Sequence, residues 1–145
     1  MVALIFIPIA IGAITQIIKL SIDGIPNNLN WQHLLTDYGG MPSSHTAFVA
    51  SLVTAVGLHE GVNSAAFAVA LVFMLIVMRD AIGLRREIGR NAVLTNTITK
   101  EVFKNKKNQP PLLRERVGHT IPEVIGGLLV GCSLTVVLYL LLLVV

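Results

Sequence analysis

Long apolar runs separated by short polar turns constrain this chain more than any other feature. The first and last runs, residues 2–22 and 124–145, are almost free of charge. At about 1.5 Å per helical residue, each is long enough to cross the roughly 30 Å hydrocarbon core of a bilayer. Of the 145 residues, 54% are hydrophobic and 13% are charged, a balance too apolar for an ordinary soluble domain. The sequence therefore predicts an integral protein of the cell membrane, folded as a single membrane-embedded domain over residues 1–145.

The interior of the chain predicts a polytopic all-α bundle. Two shorter apolar runs, residues 44–58 and 63–78, flank a tight turn and are expected to form an antiparallel helical hairpin. Residues 81–102 mix apolar and charged side chains with a helical period, which is typical of an amphipathic helix at the membrane surface. A turn-rich stretch, residues 23–41, predicts a loop or short interfacial helix, and residues 103–113 predict a basic loop. The expected architecture is about four transmembrane helices plus one amphipathic interfacial helix.

Small residues at four-residue spacing predict where the helices touch. Ala47, Ser51 and Ala55 recur at this spacing in the second run, and Gly127 and Gly131 have the Gly-x-x-x-Gly spacing in the last. Such stripes let two helix backbones approach closely in lipid. The same stripes could support a homodimer, which the sequence leaves open.

Four spans place most of the chemistry-bearing residues on one side of the membrane. By parity, the end of the first span, the start of the second, the end of the third and the start of the fourth share a face. Those places hold Lys19, the turn at residues 43–45, the arginine-rich stretch 79–90, and His119 with Glu123. Ten of the eleven lysines and arginines, all except Lys19, lie from that arginine-rich stretch onward. The positive-inside tendency predicts that this face is cytoplasmic, with both termini outside.

The polar turn before the second span predicts a binding site for an anion. Gly40 and Pro42 lead into the turn, and Ser43 or Ser44 can cap the helix that follows. His45 therefore falls in the first helical turn. A helix start presents unpaired N–H groups and the positive end of the helix dipole, which together attract phosphate. An imidazole beside such a cradle suggests phosphate chemistry, although an ordinary capped helix with a satisfied histidine fits the same residues.

Four segments taken together resemble the type-2 phosphatidic acid phosphatase superfamily. They are Lys19, Gly40–His45, Arg79–Arg86 and Gly118–Glu123, and they extend over nearly the whole chain. More closely, the chain looks like the divergent small membrane branch of that superfamily, which is also related to vanadium-dependent haloperoxidases. The resemblance implies a metal-independent phosphatase that hydrolyses a phosphate monoester or diphosphate of a lipid through a phosphohistidine. It implies no cofactor, no metal and no nucleic-acid partner.

The resemblance also implies a role for each site residue. His119 matches the histidine that attacks phosphorus, Glu123 the carboxylate that orients it, and His45 the histidine that protonates the leaving oxygen. A neutral imidazole is a competent nucleophile near neutral pH, and a protonated one can act as an acid, which supports this division of roles. The residues expected to bind the phosphate are Lys19, Ser43, Ser44, Arg85, Arg86, Arg90 and Arg114. The residues expected to support the site structurally are Gly40, Pro42 and Asp80.

The chain departs from the family's motifs at four points. Ile25-Pro26 stands where the family has an Arg-Pro pair after its lysine, so that arginine is missing. Ser44 replaces a glycine, and Glu123 replaces the usual aspartate. The arginine that the family places six residues before the nucleophile is absent at Leu113, and Arg114 lies one step off the helical register. The arginines of the amphipathic helix could supply the missing positive charge.

The sequence leaves two alternatives open. Thr120-x-x-Glu123 also fits a capping box with Pro122 in the first turn, in which case Glu123 need not touch His119. The function could also be non-catalytic binding or carriage of a lipid phosphate, because an anion pocket can outlast the loss of turnover. A haloperoxidase function is less favoured, since nothing indicates a soluble substrate. Cys132 is the single cysteine, which excludes a disulfide framework and a cysteine-based metal site.

Overall fold

The computed structural model describes residues 2–23, 40–104, 109–115 and 117–144 of the chain. In these residues the chain forms five α-helices, namely α1 (Val2–Asp23), α2 (Ser44–Glu60), α3 (Ala65–Ile82), α4 (Leu84–Val102) and α5 (Ile121–Val144). The described residues contain no β-strand, so the predicted all-α fold class is confirmed. Most of the predicted loop at 23–41, and residues 105–108 of the predicted basic loop, lie outside the described residues.

The helices have the length and composition of a membrane bundle. Among the described residues, two helical stretches are long and apolar enough to cross a bilayer, Ala65–Val102 through α3 and α4 and Ile121–Leu142 of α5. The apolar part of α1, Leu4–Lys19, is shorter. Large apolar side chains such as Phe6 and Val69 lie on the outer surface of the bundle, more than half exposed. Lipid hydrocarbon is the environment that suits such a surface.

α2 lies at the centre of the bundle and packs against α1, α3 and α5. Its small side chains are buried, among them Ala47, Ala50, Ser51 and Ala55. With 17 residues, α2 is the shortest of the five helices in the described part of the chain. Because neighbouring helices cover it, α2 does not need the long apolar surface of a lipid-facing span.

α2 and α5 approach each other through the predicted small residues. A Cβ atom at Gly131 would overlap the carbonyl oxygen of Ala47, and one at Gly127 would meet the first turn of α2. One turn further along α5, the hydroxyl oxygen of Thr135 lies 2.6 Å from the hydroxyl oxygen of Ser51. The close backbone approach thus brings two buried hydroxyl groups within hydrogen-bonding distance of each other.

α4 packs against a non-helical stretch of chain. We call residues 109–115 and 117–120 the connecting segment. The buried Asn96 side chain donates to the carbonyl oxygen of Leu113 at 2.8 Å and accepts from the amide of Leu113 at 2.7 Å. Asn96 also donates to the carboxylate of Glu115 at 2.8 Å. Gly89, two turns earlier, lies so close that a Cβ there would come within 2.7 Å of the Glu115 carbonyl oxygen.

α4 is amphipathic, as the sequence predicts. The side that faces the connecting segment carries the buried Gly89, Ala92 and Asn96. Another side carries an apolar stripe whose members are between 49% and 67% exposed, namely Leu84, Ile88, Leu94, Ile98 and Val102. Two separate faces of this kind fit a helix that lies at a membrane surface while it holds the connecting segment.

Candidate active site

His119 and Glu123 form the best-defined contact of the site. His119 lies just before α5 and is 4% exposed, and its Nδ1 is 3.0 Å from Oε2 of Glu123. The same carboxylate oxygen accepts a hydrogen bond from the Thr120 amide at 3.1 Å. Glu123 therefore caps the helix and contacts the imidazole at the same time. The capping role and the catalytic role predicted for Glu123 are compatible. Because a carboxylate accepts from Nδ1–H, the neutral ring keeps its lone pair on Nε2.

The backbone around His119 is fixed against the junction of α3 and α4. The His119 amide donates to the carbonyl oxygen of Ala81 at 3.0 Å. Gly118 has a φ of 95°, and a Cβ there would lie 2.7 Å from the Arg86 amide nitrogen. Both the left-handed backbone and the close approach require glycine at this position. The nucleophile position predicted from the sequence is thus held by main-chain geometry.

His45 lies in the first turn of α2, beside His119. Ser43 caps this helix, since its hydroxyl oxygen accepts from the Thr46 amide at 3.4 Å and from the Thr46 hydroxyl at 3.0 Å. The Ser43 amide donates to the carbonyl oxygen of Glu123 at 3.0 Å, which joins the start of α2 to the start of α5. The two imidazole ring centroids are 6.3 Å apart, with the ring planes tilted by 57°. Two helices therefore bring both histidines to one place.

The cap geometry occupies the Ser43 amide, so the predicted phosphate-binding role of Ser43 is left to its hydroxyl proton. Its amide is used by the Glu123 carbonyl, and its hydroxyl accepts both bonds from Thr46. Ser44 is the first residue of α2, and helix geometry gives its amide no acceptor within the helix. Gly40, with a φ of 97°, and the buried Pro42 lead the chain into this cap, as their predicted structural role requires. The anion-binding expectation for a backbone amide at this helix start therefore falls on Ser44.

Lys19 and Arg85 place positive charge around His119. Lys19, in the last turns of α1, is 6% exposed. Burial is the largest cause that lowers the pKa of His119 below its ordinary value of 6.5. The hydrogen bond and negative charge of Glu123 raise this pKa, whereas the charges of Lys19 and Arg85 lower it further. His119 is therefore uncharged at neutral pH, the state that a nucleophile requires.

The arginines predicted to bind phosphate lie on α4 and on the connecting segment. Arg85 Nε donates to Oδ2 of Asp80 at 2.6 Å, so Asp80 orients a cation of the site. A cavity of about 250 Å³ borders His119 and is lined by Arg86 and Arg90 of α4. These three arginines are the α4 residues expected to supply the charge of the arginines that the family has and this chain lacks.

Arg114 does not line the cavity beside His119. It is exposed on the connecting segment, and the cavity is lined by its neighbour Glu115. The position of Arg114 was predicted from a helical register. That prediction is wrong, because residues 109–115 are not helical. Asn96 was not among the predicted site residues. The sequence shows only that Asn96 is a polar residue on an amphipathic helix. This does not predict that Leu113 is its hydrogen-bond partner.

Comparison with known proteins identifies the family. A sequence model described as the Divergent PAP2 family matches residues 2–134 of the chain. The chain belongs to the divergent PAP2 family. YuiD of Bacillus subtilis (strain 168), described as an uncharacterized membrane protein, is 40% identical over 135 residues, which covers 85% of each of the two chains. No solved structure matches. The resemblance predicted from the sequence is confirmed, and the relative is also a membrane protein.

This divergent PAP2 family site has the groups that phosphoryl transfer needs. A buried neutral imidazole held by a carboxylate lies beside a second imidazole, and the positive charges of Lys19 and Arg85 act on both rings. Positioned positive charge is the main means by which proteins stabilise a transferring phosphoryl group. In the described ranges, no group of three or more His, Cys, Asp or Glu residues suited to a metal ion occurs.

Proposed function

We propose that this divergent PAP2 family protein is a membrane lipid phosphatase that works through a phosphohistidine. Its substrate is a phosphate monoester or diphosphate of a lipid. The observation that supports this most is the contact between His119 Nδ1 and Glu123 at 3.0 Å, with the His45 ring centroid 6.3 Å from that of His119. A capping glutamate alone would not need a buried imidazole as its partner.

The reaction proceeds in two displacements. His119 Nε2 attacks phosphorus, a N–P bond forms, and the bond between phosphorus and the leaving oxygen breaks. The electron pair goes to that oxygen, and protonated His45 gives it a proton. Water then attacks the phosphohistidine, His45 takes the proton from the water, and phosphate leaves with His119 restored. Lys19, Ser44 and the α4 arginines stabilise the charge on the transferring oxygens.

Substrate entry must widen the gap between the two rings. A nucleophile approaches phosphorus at about 3–3.5 Å, and a hydrogen bond from the acid to the leaving oxygen spans about 2.7–3.2 Å. These two distances alone fill the 6.3 Å between the ring centroids. His119 is buried, whereas His45 is exposed. His45 is therefore the ring that turns outward.

The direct test is phosphate release by purified protein in detergent from a panel of lipid phosphates. Release is expected without added metal, together with inhibition by vanadate, which mimics pentacoordinate phosphorus. No release from any member of the panel would contradict the proposal. The second candidate, a non-catalytic lipid-phosphate binder, is favoured by the position of Arg114 outside the cavity. That function predicts headgroup binding with no release.

We also infer that the site faces the cytoplasm. Ten of the eleven lysines and arginines lie from Arg79 onward, on the side of the membrane that holds the histidine pair. Sealed vesicles of known orientation test this inference. Inverted vesicles, with the cytoplasmic face outward, are expected to hydrolyse a membrane-impermeant phosphate ester added outside, whereas right-side-out vesicles are not.

Glu123→Gln is expected to shift the acid limb of the pH profile to lower pH. The pKa of His119 lies below 6.5, so kcat/KM is expected to fall on the acid side as the pH drops through that pKa and His119 becomes protonated. Removing the negative charge of Glu123 lowers this pKa further. The maximum rate is expected to fall by about 10²–10⁴-fold, because the ring is no longer oriented by a carboxylate. The measurement is kcat/KM against pH.

Glu60→Gln is the matched control. It makes the same chemical change at the last residue of α2, at the end of that helix far from His45. It is expected to leave both the limb and the maximum unchanged. An acid limb that stays in place or moves to higher pH in Glu123→Gln would argue against the assignment of that limb to His119.

A further inference from the structure

A second cavity, of about 310 Å³, begins at His45 and is distinct from the cavity lined by the α4 arginines. We call it the His45 groove. Three helices line it, and the lining residues are Gly12 of α1, Ser44, His45, Phe48 and Val49 of α2, and Phe73 and Val77 of α3. Among the described residues, its lining beyond Ser44 and His45 is wholly apolar.

The groove leads from the histidine pair toward the middle of the membrane. Val49 lies four residues beyond His45 on α2, and Phe73 lies six residues before Arg79 on α3. At about 1.5 Å per residue, the groove descends about 6–9 Å from the site. One end of it therefore touches the chemistry, and the rest lies at the depth of lipid hydrocarbon.

Gly12 keeps the groove open. A Cβ atom at this position would lie 3.3 Å from the Phe48 ring, so any larger side chain would enter the space. Phe48 and Phe73 are 37% and 47% exposed, which places the rim of the groove at the outer surface of the bundle. A lipid chain can reach the groove sideways from the bilayer.

On the basis of the proposed function, we propose that the His45 groove holds the first carbons of a single hydrocarbon chain attached to the leaving oxygen. In a displacement with His119 as nucleophile, the leaving oxygen lies on the far side of phosphorus, at His45. The chain on that oxygen then continues into the cavity that begins at His45. The charged cavity borders His119 and is not lined by His45, so it is not expected to hold the chain.

The lining of the groove also selects the class of lipid. A diacylglycerol phosphate carries ester groups within a few atoms of its leaving oxygen, and an apolar groove would leave their oxygens without hydrogen-bond donors. Burial of such polar groups without partners is unfavourable. A long-chain alkyl or prenyl phosphate has only carbons at those positions. The substrate class is therefore the phosphate monoester of a long-chain alcohol.

Binding of n-alkylphosphonates tests the groove without turnover. Phosphonates of two to eight carbons are titrated into purified protein, and the dissociation constant is measured by calorimetry. The affinity of the wild type is expected to rise about fourfold for each added methylene over the first carbons. Gly12→Leu is expected to lose this dependence while it still binds inorganic phosphate. Ala13→Leu, which adds the same side chain one residue away on the exposed side of α1, is the matched control and keeps it.

A second pair of variants guards against misfolding of Gly12→Leu. Val77→Phe fills the groove from α3, and Ile76→Phe makes a similar change at a side chain that is 60% exposed. Equal dependence on chain length in the wild type and in both filled variants would overturn the groove assignment. Equal hydrolysis of a diacylglycerol phosphate and a prenyl phosphate would overturn the substrate class. Absence of all hydrolysis would refute the proposed function instead, and the phosphonate series would still decide the groove.

Discussion

His119→Ala is expected to abolish phosphate release, with turnover lowered on the order of 10⁴-fold or more. The His119 ring is buried, and its Nδ1 is held by the Glu123 carboxylate, so the lone pair on Nε2 is the proposed nucleophile. Alanine removes the atom that would form the bond to phosphorus. The measurements are phosphate release from an alkyl phosphate and trapping of a labelled phosphoprotein, which is expected in the wild type and not in the variant.

The control for this prediction is His59→Ala. His59 lies in the last turn of α2, at the other end of the helix from His45, with Nδ1 3.5 Å from the Tyr139 hydroxyl. Its removal is expected to leave turnover unchanged. Phosphate release that persists in His119→Ala would rule out this nucleophile.

His45→Ala gives a different expected pattern. An alkyl phosphate needs a proton on its leaving oxygen, so its hydrolysis is expected to fall by about 10²–10⁴-fold. An aryl phosphate with a stabilised leaving oxygen is expected to lose much less. Equal losses for both esters would contradict the role of His45 as the acid.

Gly131→Ala is expected to destabilise the bundle by about 1–3 kcal/mol. The new Cβ would overlap the Ala47 carbonyl oxygen and lie 2.9 Å from the Ala50 Cβ. Because a helix backbone cannot yield as a flexible side chain can, α5 must move away from α2. Better helix propensity offsets about 1 kcal/mol of the strain at most. The measurement is the unfolding midpoint in detergent.

Gly126→Ala is the matched control on the same helix. Its Cβ would meet the terminal methyl group of Met41 at 3.1 Å, and that methyl group can swing aside. The control is expected to be neutral or slightly stabilised. Equal midpoints for the two variants would show that the contact between α2 and α5 is looser than the structure indicates.

The fold was predictable because its determinants are local. The length of an apolar run, the helical period of residues 81–102 and the spacing of Gly127 and Gly131 each act within one helix or between two helix faces. The central position of α2 is not a local property of its sequence. Its short length is explained only once α1, α3 and α5 are seen to surround it.

The sequence predicts which residues belong to the candidate site better than it predicts the contacts between them. The sequence names His45, His119 and Glu123, since resemblance and spacing suffice for them. It does not predict that Asn96 donates to Leu113, because 17 residues and a change from helix to irregular chain separate the two. It also assigns Arg114 by helical register, whereas the connecting segment is not helical there. Contacts between distant, irregular segments leave no periodic pattern.

The hydrogen bond from the Ser43 amide to the Glu123 carbonyl holds the backbones of the two histidines together, while the His45 ring can still turn. Each imidazole is within four residues of an atom of that bond along the chain. The reacting geometry therefore does not depend on how the outer faces of α1, α3 and α5 are composed. Outside the rim of the His45 groove, those faces are free to change with the thickness and lipid content of the host membrane while the histidine backbones keep their places.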